Sequence, residues 1–346
     1  MKFLIKDNRF TYIASGSQLG ISLRNTSSVP AGSLEIEHMY PMDFEEFLYA
    51  NGVGESVVKS MKDCFAERKS LSESLHGKIL DFFKKYLLVG GLPQAVDSYI
   101  RTKNIAEFRR IQNEVHLMYG IDASKYEVEH GKKLKIRRIF DMIPSSLENK
   151  KKRVVIRDIE DKKWKRSDDY TDEFEYLISS GIALEVKAIS KPSYPLIENS
   201  GKNLMKLYLN DVGILSGIYY RNNVNAVMSD MKSINLGSVY ETVVAQELRA
   251  HGYNLYYYDN KKNGEVDYLI DDSDNLSNIP LEVKSGKDYT VHSALDKFMS
   301  IEEYNIRNAY VLSNEREVSV RNGITYMPIY YVMFFENAPD TAELLL

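Results

Sequence analysis

The sequence has little of several features that assign a protein to a class. Cys64 is its only cysteine in 346 residues, which excludes an intrachain disulfide and a cysteine-based metal cluster and is typical of a reducing compartment. The net charge of −4 gives no overall basic field for nucleic acid, although a local basic patch is compatible with it. Charges interrupt the first residues, MKFLIKDNRF, so they do not form a signal peptide, and no apolar run approaches the roughly 20 residues of a membrane helix. We therefore expect a soluble, cytoplasmic protein with no membrane partner.

A phosphate-binding loop is also missing. The pattern G-x-x-x-x-G-K-[ST] occurs nowhere, because the Gly-Lys pairs at Gly77, Gly131, Gly201 and Gly286 lack the upstream glycine and the following Ser or Thr. Such a loop surrounds the β- and γ-phosphates with backbone N–H groups and a lysine. We therefore expect neither ATP binding nor ATPase activity from this chain alone.

Patterns of helix and strand follow one another along the chain. FTYIAS at 10–15 and residues near 33–38 predict two short strands. Asp43, with Glu46 three residues later, predicts a helix start with a capping box. Residues 56–100 predict mostly helix, interrupted at Gly90-Gly91 and Pro93.

A second region has a different order of elements. Helices are predicted at 105–119, 134–143 and 169–180, and IALEVKAI and KNLMKLYLND predict two strands joined by a Pro-containing turn. Helix, helix and two strands is the order of a winged helix-turn-helix. Residues 221–233 indicate a linker, and 234–335 predict helix, three strands, helix and strand. The chain is thus predicted to be a multidomain α/β protein.

The last region contains charged residues on predicted strands. In PLEVKSG, Glu282 and Lys284 are two residues apart and share a face, and a hairpin could bring Asp267 of GEVDYLI beside Glu282. Two neighbouring carboxylates repel unless a cation lies between them, and Mg²⁺ is typically held by one or two carboxylates. The arrangement is typical of a metal-dependent phosphodiesterase, in which Lys284 offsets charge on a phosphoryl group. The alternative is a surface hairpin with an exposed Glu–Lys pair that contributes little.

Glu241, in the helix GSVYETVVAQELRAHG, has two interpretations that do not exclude each other. Ser238 and Glu241 match the spacing of a capping box. Glu241 could also be a third acidic group near the metal.

These motifs, in this order, resemble a known family. A helix Glu, a hairpin Asp and Glu-x-Lys resemble the PD-(D/E)XK nucleases, and GEVDYLI…PLEVKSG is similar to their archaeal Holliday-junction-resolvase-like branch. The preceding sequence resembles bacterial and archaeal AAA-type ATPases that have a C-terminal domain of unknown function. In that comparison YIASGSQLGI resembles the sensor-1 strand, YLLVGGLPQAV the lid, and KLYLNDVGILSGI the end of a winged helix.

The resemblance implies an organisation and a set of site residues. It implies an ATPase-core remnant at 1–52, a helical lid at 53–104, a winged helix at 105–220 and a nuclease-like domain at 230–346. The Walker motifs would precede Met1, so the chain resembles a truncated member. The carried-over site residues are Glu241, Asp267, Glu282 and Lys284, with Asp267 and Glu282 as Mg²⁺ ligands and Ser15 or Ser17 as a vestigial sensor-1 residue.

Two further groups of charged residues allow more than one interpretation. The basic residues Lys150–Arg153, Lys162, Lys163, Lys165 and Arg166 could bind phosphate, but a solvated face is the favoured interpretation. The predicted recognition helix is acidic (Asp168, Asp169, Asp172, Glu173, Glu175), which favours protein docking over a DNA groove. His292 follows the Lys284 strand and is a weak candidate for substrate contact.

Two functions from different classes therefore remain. The first is an Mg²⁺-dependent DNA nuclease or a DNA-binding relative of one. The second is a non-catalytic scaffold that binds a protein partner, or a second copy of itself, through the ATPase remnant and the winged helix.

Overall fold

The computed structural model describes residues 10–16, 37–125, 130–160, 166–199, 204–229, 231, 234, 236–286 and 288–337. Four helices form the first folded part: α1 (Phe44–Ala50), α2 (Glu55–Ala66), α3 (Glu73–Val89) and α4 (Pro93–Thr102). The capping box at α1 is confirmed, because the Asp43 side chain accepts from the Glu46 backbone N–H and the Glu46 carboxylate accepts from the Asp43 N–H. The predicted break between helices is also confirmed, since Gly90 ends α3 with a φ of +71° and Pro93 begins α4.

The predicted strand at 10–15 is wrong. Residues 10–16 form neither helix nor strand and are exposed throughout; the side chain of Ile13 is 93% accessible. None of the strands in the described part of the chain pairs with these residues, and a β-strand needs a neighbouring strand for its backbone hydrogen bonds. Of the second predicted strand, 33–36 lie outside the described residues, and 37 and 38 belong to no strand.

The middle of the chain contains a helical group followed by a hairpin. Its elements are α5 (Ile105–Lys125), α6 (His130–Glu148), α7 (Ile156–Ile159), a 3₁₀ turn (Ser167–Tyr170), α8 (Thr171–Ser179), β1 (Ala183–Ile189), β2 (Met205–Leu209), α9 (Val212–Tyr220) and α10 (Asn225–Met228). The predicted order of helices and strands is confirmed. The predicted linker at 221–233 contains α10, where Ala226 and Val227 are fully buried.

The final part has the predicted order, with two additional strands. Its elements are α11 (Gly237–Ala250), β3 (Tyr256–Asn260), β4 (Gly264–Asp272), β5 (Ser277–Val283), α12 (Ser293–Met299), β6 (Ala309–Ser313), β7 (Ser319–Arg321), β8 (Ile324–Pro328) and a 3₁₀ helix (Ile329–Phe334). No helix in the described ranges has both the length and the apolar character that crossing a bilayer requires.

The eight strands of the described residues belong to one mixed sheet in the order β2-β1-β3-β4-β5-β6-β8-β7. Strands of the predicted winged-helix region and of the C-terminal region meet where β1 pairs parallel to β3, with Lys187 opposite Tyr256. Helix α11 is buried from Ser238 to Leu248 in the main core, and a smaller core with Phe298 and Val311 forms separately. Because α11 is buried along most of its length, its polar side chains must find partners inside the protein.

Candidate functional site

The two strand acids and the lysine lie together, as predicted. β4 and β5 are antiparallel with Tyr268 opposite Leu281, which places Asp267 beside the end of β5. The Asp267 carboxylate accepts a 2.9 Å hydrogen bond from the backbone N–H of Val283. Lys284 Nζ donates to Glu282 Oε1 at 2.8 Å. The register of β4 and β5 therefore brings the three side chains together at the end of β5, in the middle of the sheet.

Glu241 approaches from α11 and is fixed at both carboxylate oxygens. Oε1 forms an ion pair with Lys152 Nζ, and Oε2 accepts from the Tyr208 hydroxyl at 2.9 Å. The predicted capping box with Ser238 is wrong, because α11 begins at Gly237 after Leu236, and Ser238 Oγ donates to the Leu147 carbonyl at 2.8 Å. Only the interpretation of Glu241 as a member of the acidic group remains.

Burial and neighbouring charges shift the pKa values of the three carboxyl groups in different directions. Burial raises the pKa of Asp267 well above its usual value, and the charges of Glu282 and Glu241 raise it further. Burial also raises the pKa of Glu282, against the opposing effect of Lys284. Burial alone would raise the pKa of Glu241, but Lys152 and Lys206 outweigh it and the pKa is lowered. Asp267 is therefore the group that most needs a further cation to become ionised.

Sequence reasoning missed several cations that surround the acids. The side chain of Lys206 on β2 is fully buried, with Nζ 2.7 Å from Glu265 Oε1 and 4.6 Å from the centre of the Tyr257 ring. In MKLYL, Lys206 and Tyr208 share one face of β2, so strand alternation is the signal that could have identified both.

The interpretation of the basic run as a solvated face is wrong for two of its members. The side chains of Lys152 and Arg153 are only 18% and 14% exposed. Lys152 pairs with Glu241, and Arg153 pairs with Asp259 at 2.5 Å and with Glu265 at 3.6 Å. Lys162, Lys163 and Lys165 lie outside the described residues.

The remaining candidates are placed as follows. His292 is buried, with Nε2 2.6 Å from the Tyr326 hydroxyl, and lies near enough to Glu282 to lower the pKa of that carboxyl. Ser15 is exposed within 10–16, and Ser17 lies outside the described residues.

The donor set suits a hard cation held by few protein ligands. Across the residues placed by the structure, no three His, Cys, Asp or Glu side chains are positioned to hold a metal ion together. Glu282 Oε2, however, is buried with no hydrogen-bond partner, next to the Asp267 carboxylate. A buried carboxylate oxygen without a partner is costly, and one or two carboxylates completed by water and substrate are the usual protein contribution to Mg²⁺.

Two parts of the chain match families. Residues 236–332, which contain all four predicted site residues, match the family described as Domain of unknown function (DUF4143), a domain often found C-terminal of AAA ATPases. Residues 80–224, from within α3 to the residue before α10, match Domain of unknown function (DUF8612). No curated protein and no solved structure matches the chain.

Proposed function

We propose that the chain hydrolyses phosphodiester bonds of DNA with Mg²⁺, at a site formed by Glu241, Asp267, Glu282 and Lys284. The observation that carries the proposal is the state of Glu282: one carboxylate oxygen binds Lys284, and the other is buried without a partner beside Asp267. An arrangement of this kind is incomplete without a further cation, and the chemistry of the donors favours a divalent one.

Each residue has a role that follows from its surroundings. Asp267 and Glu282 would hold Mg²⁺, which when bound stabilises negative charge on the phosphoryl oxygens. Lys284, held by Glu282, provides a cationic donor at the position where the substrate phosphate would lie. Glu241 is restrained by Tyr208 and Lys152, so it orients the cluster and adds negative charge.

The relation to AAA-type ATPases is part of the same proposal. It is supported by the match of 236–332 to a domain often found C-terminal of AAA ATPases, and by the order of helices and strands upstream. On this proposal, α2–α4 correspond to a lid, and α5–α9 with β1 and β2 correspond to the winged-helix domain of 105–220. The C-terminal part then corresponds to a PD-(D/E)XK nuclease-like fold.

A titration with Mg²⁺ and Mn²⁺, in which calorimetry measures the binding, tests the metal site. Glu282→Gln keeps the shape and removes the charge, so we expect at least tenfold weaker divalent binding and loss of DNA cleavage in an unchanged fold. Lys284→Ala should leave the divalent affinity unchanged and lower the rate of DNA cleavage. Glu302→Gln, an exposed carboxylate outside the cluster, is the matched control. Equal divalent affinity for Glu282→Gln and the control would contradict the proposal.

A non-catalytic scaffold is the second candidate, and one observation favours it. The acids already have internal cations: Lys152 for Glu241, Lys206 for Glu265 and Lys284 for Glu282. A site compensated in this way can be stable without a metal. The same titration separates the two candidates, because a scaffold would show no divalent binding that depends on Glu282.

A further inference from the structure

A cavity of about 860 Å³ opens beside Asp267. It lies between the chain segment that follows α6, the 3₁₀ turn before α8, and the β3–β4 hairpin. Its lining includes Lys150 and Lys151 from the first, Arg166 from the second, and Lys261 from the third. Residues far apart in the sequence therefore contribute to one recess next to the proposed catalytic carboxylates.

Charge is unevenly distributed within this cavity. Among the described residues of its lining, the exposed charged ones, which we call the rim, are four cations and one anion: Lys150, Lys151, Arg166, Lys261 and Asp168. Its half-buried charged residues, the floor, are one cation and three acids: Arg153, Asp259, Glu265 and Asp267. The rim is thus basic in a chain whose net charge is −4. A basic rim above an acidic floor suits a phosphodiester backbone, because phosphates can lie on the rim while Asp267 on the floor supplies one of the proposed metal ligands.

From this arrangement we infer that the cavity binds the backbone of a single, unpaired nucleic-acid strand and leads it to Asp267. The volume is that of a small-molecule pocket, so a single strand can enter and a duplex cannot. None of the described residues that line it is aromatic, so the described lining offers the bases no stacking surface, and recognition depends on the phosphates rather than on sequence. This inference rests on the proposed function, for which it names the substrate class and the path of the strand.

Binding of a labelled oligothymidylate in EDTA, measured by fluorescence anisotropy at several salt concentrations, tests the inference without any metal. Four rim cations on a single strand predict a slope of log K against log salt of about −2.8. The double variant Lys150→Gln/Lys151→Gln removes two exposed charges, so the slope should fall to about −1.4 and affinity at low salt should fall about tenfold. The matched control is Lys59→Gln/Lys78→Gln, which removes two exposed lysines of α2 and α3 that do not line the cavity.

The outcomes separate this inference from the proposed function. Weaker binding and a smaller slope for the rim variant alone, with a matched duplex bound more weakly than the single strand, supports it. The inference is overturned if the rim variant and the control have the same affinity and the same salt slope, or if the duplex binds as tightly as the single strand. Preferential binding of polyglutamate also overturns it, because the partner would then be an acidic protein segment. Since EDTA removes divalent ions, failure of the metal titration leaves this result unaffected, and failure here leaves the metal site unaffected.

Discussion

Lys206 illustrates what single side chains contribute to the site. Its side chain is fully buried, and its ammonium group lies close to Glu265, with Glu241 and Asp267 near enough to raise its pKa despite burial. An unpaired ammonium in such a place would cost several kcal/mol. The lysine and the acids therefore need one another for the fold, whether or not the site also binds a metal.

The ion pair between Lys152 and Glu241 gives a prediction at this scale. Lys152→Gln leaves Glu241 in a buried place with less compensation, so we expect a loss of about 2–3 kcal/mol in the free energy of unfolding. The double variant Lys152→Gln/Glu241→Gln should recover most of it, because the buried charge is then also removed. Urea denaturation measures both.

Arg110→Gln is the control, since Arg110 pairs with Glu114 at a site where both side chains are more than half exposed. Its cost should stay below about 0.5 kcal/mol. Similar losses for Lys152→Gln and Arg110→Gln would show that the Lys152 pair behaves as a surface pair.

Site residues that are close in the sequence were predictable, and those that are far apart in the sequence were not. Strand alternation within a short hairpin was enough to place Asp267, Glu282 and Lys284 together. Lys206 reaches the acids because β2 packs against both α6 and α11, and Lys152 does so from the segment after α6; the sequence near each lysine does not reveal this packing. The spacing between Ser238 and Glu241 predicts a helix cap, whereas the Ser238 hydroxyl donates to the Leu147 carbonyl near the end of α6.

At the scale of elements, the turn between α3 and α4 leaves almost no space around its second glycine. The Gly91 N–H donates to Asp211 Oδ2 at 2.7 Å, and the Gly91 carbonyl accepts from the Met42 N–H at 2.8 Å. A Cβ at Gly91 would lie 2.0 Å from the Met42 carbonyl oxygen. This turn therefore joins the chain before α1 to the start of α9, and only glycine leaves room for it.

Gly91→Ala should consequently lower the free energy of unfolding by more than about 2 kcal/mol, because backbone atoms must move apart to admit the methyl group. Gly77→Ala makes the same chemical change inside α3, where nothing lies within 4 Å of the new Cβ. It should stabilise the protein by about 0.5–1 kcal/mol, since alanine favours helix. Thermal or urea unfolding of the two variants should thus show shifts of opposite sign.

Helices with a strong local pattern were predictable, whereas the absence of a strand at 10–15 was not, because a strand depends on a neighbouring strand. Apolar spacing with Asp43, Gly90 and Pro93 as boundaries gave the helices of the first part. FTYIAS has the composition of a strand, yet strand formation depends on a neighbour with free hydrogen-bonding groups. That condition cannot be read from six residues.

For the molecule as a whole, buried acids make stability depend on pH. Burial raises the pKa of Glu247, on α11, to about 8 and that of Asp211, before α9, to about 6. Around Glu247, the charge of Asp43 raises its pKa further and that of His251 lowers it, while Tyr86 and the Phe44 N–H donate to it. The pKa of His251 is itself raised by Asp43 and Glu247, against the effect of burial.

These shifts predict that the folded protein loses stability as pH rises from about 5 to 8. In that interval the native state holds protons that the unfolded state has released, so unfolding becomes easier with increasing pH. The slope should reach about 1.4 kcal/mol per pH unit for each such proton. Glu247→Gln should flatten the dependence, because the amide can still accept from Tyr86 and has no proton to lose. Urea midpoints at several pH values measure this pH dependence, with Glu315→Gln, at an exposed position, as the control. Parallel plots of midpoint against pH for the two variants would contradict the prediction.

The single sheet also has a consequence for synthesis on the ribosome. The β1–β2 hairpin, with Lys206 on it, is translated before β3, so one edge of β1 emerges without its neighbour. Lys152 and Lys206 likewise emerge before Glu241, Asp267 and Glu282. The nascent hairpin must therefore remain hydrated until the later strands leave the exit tunnel. A translation product that stops before β4 would retain both lysines without Glu265, Asp267 and Glu282, and cellular quality control would recognise it as an incompletely folded sheet.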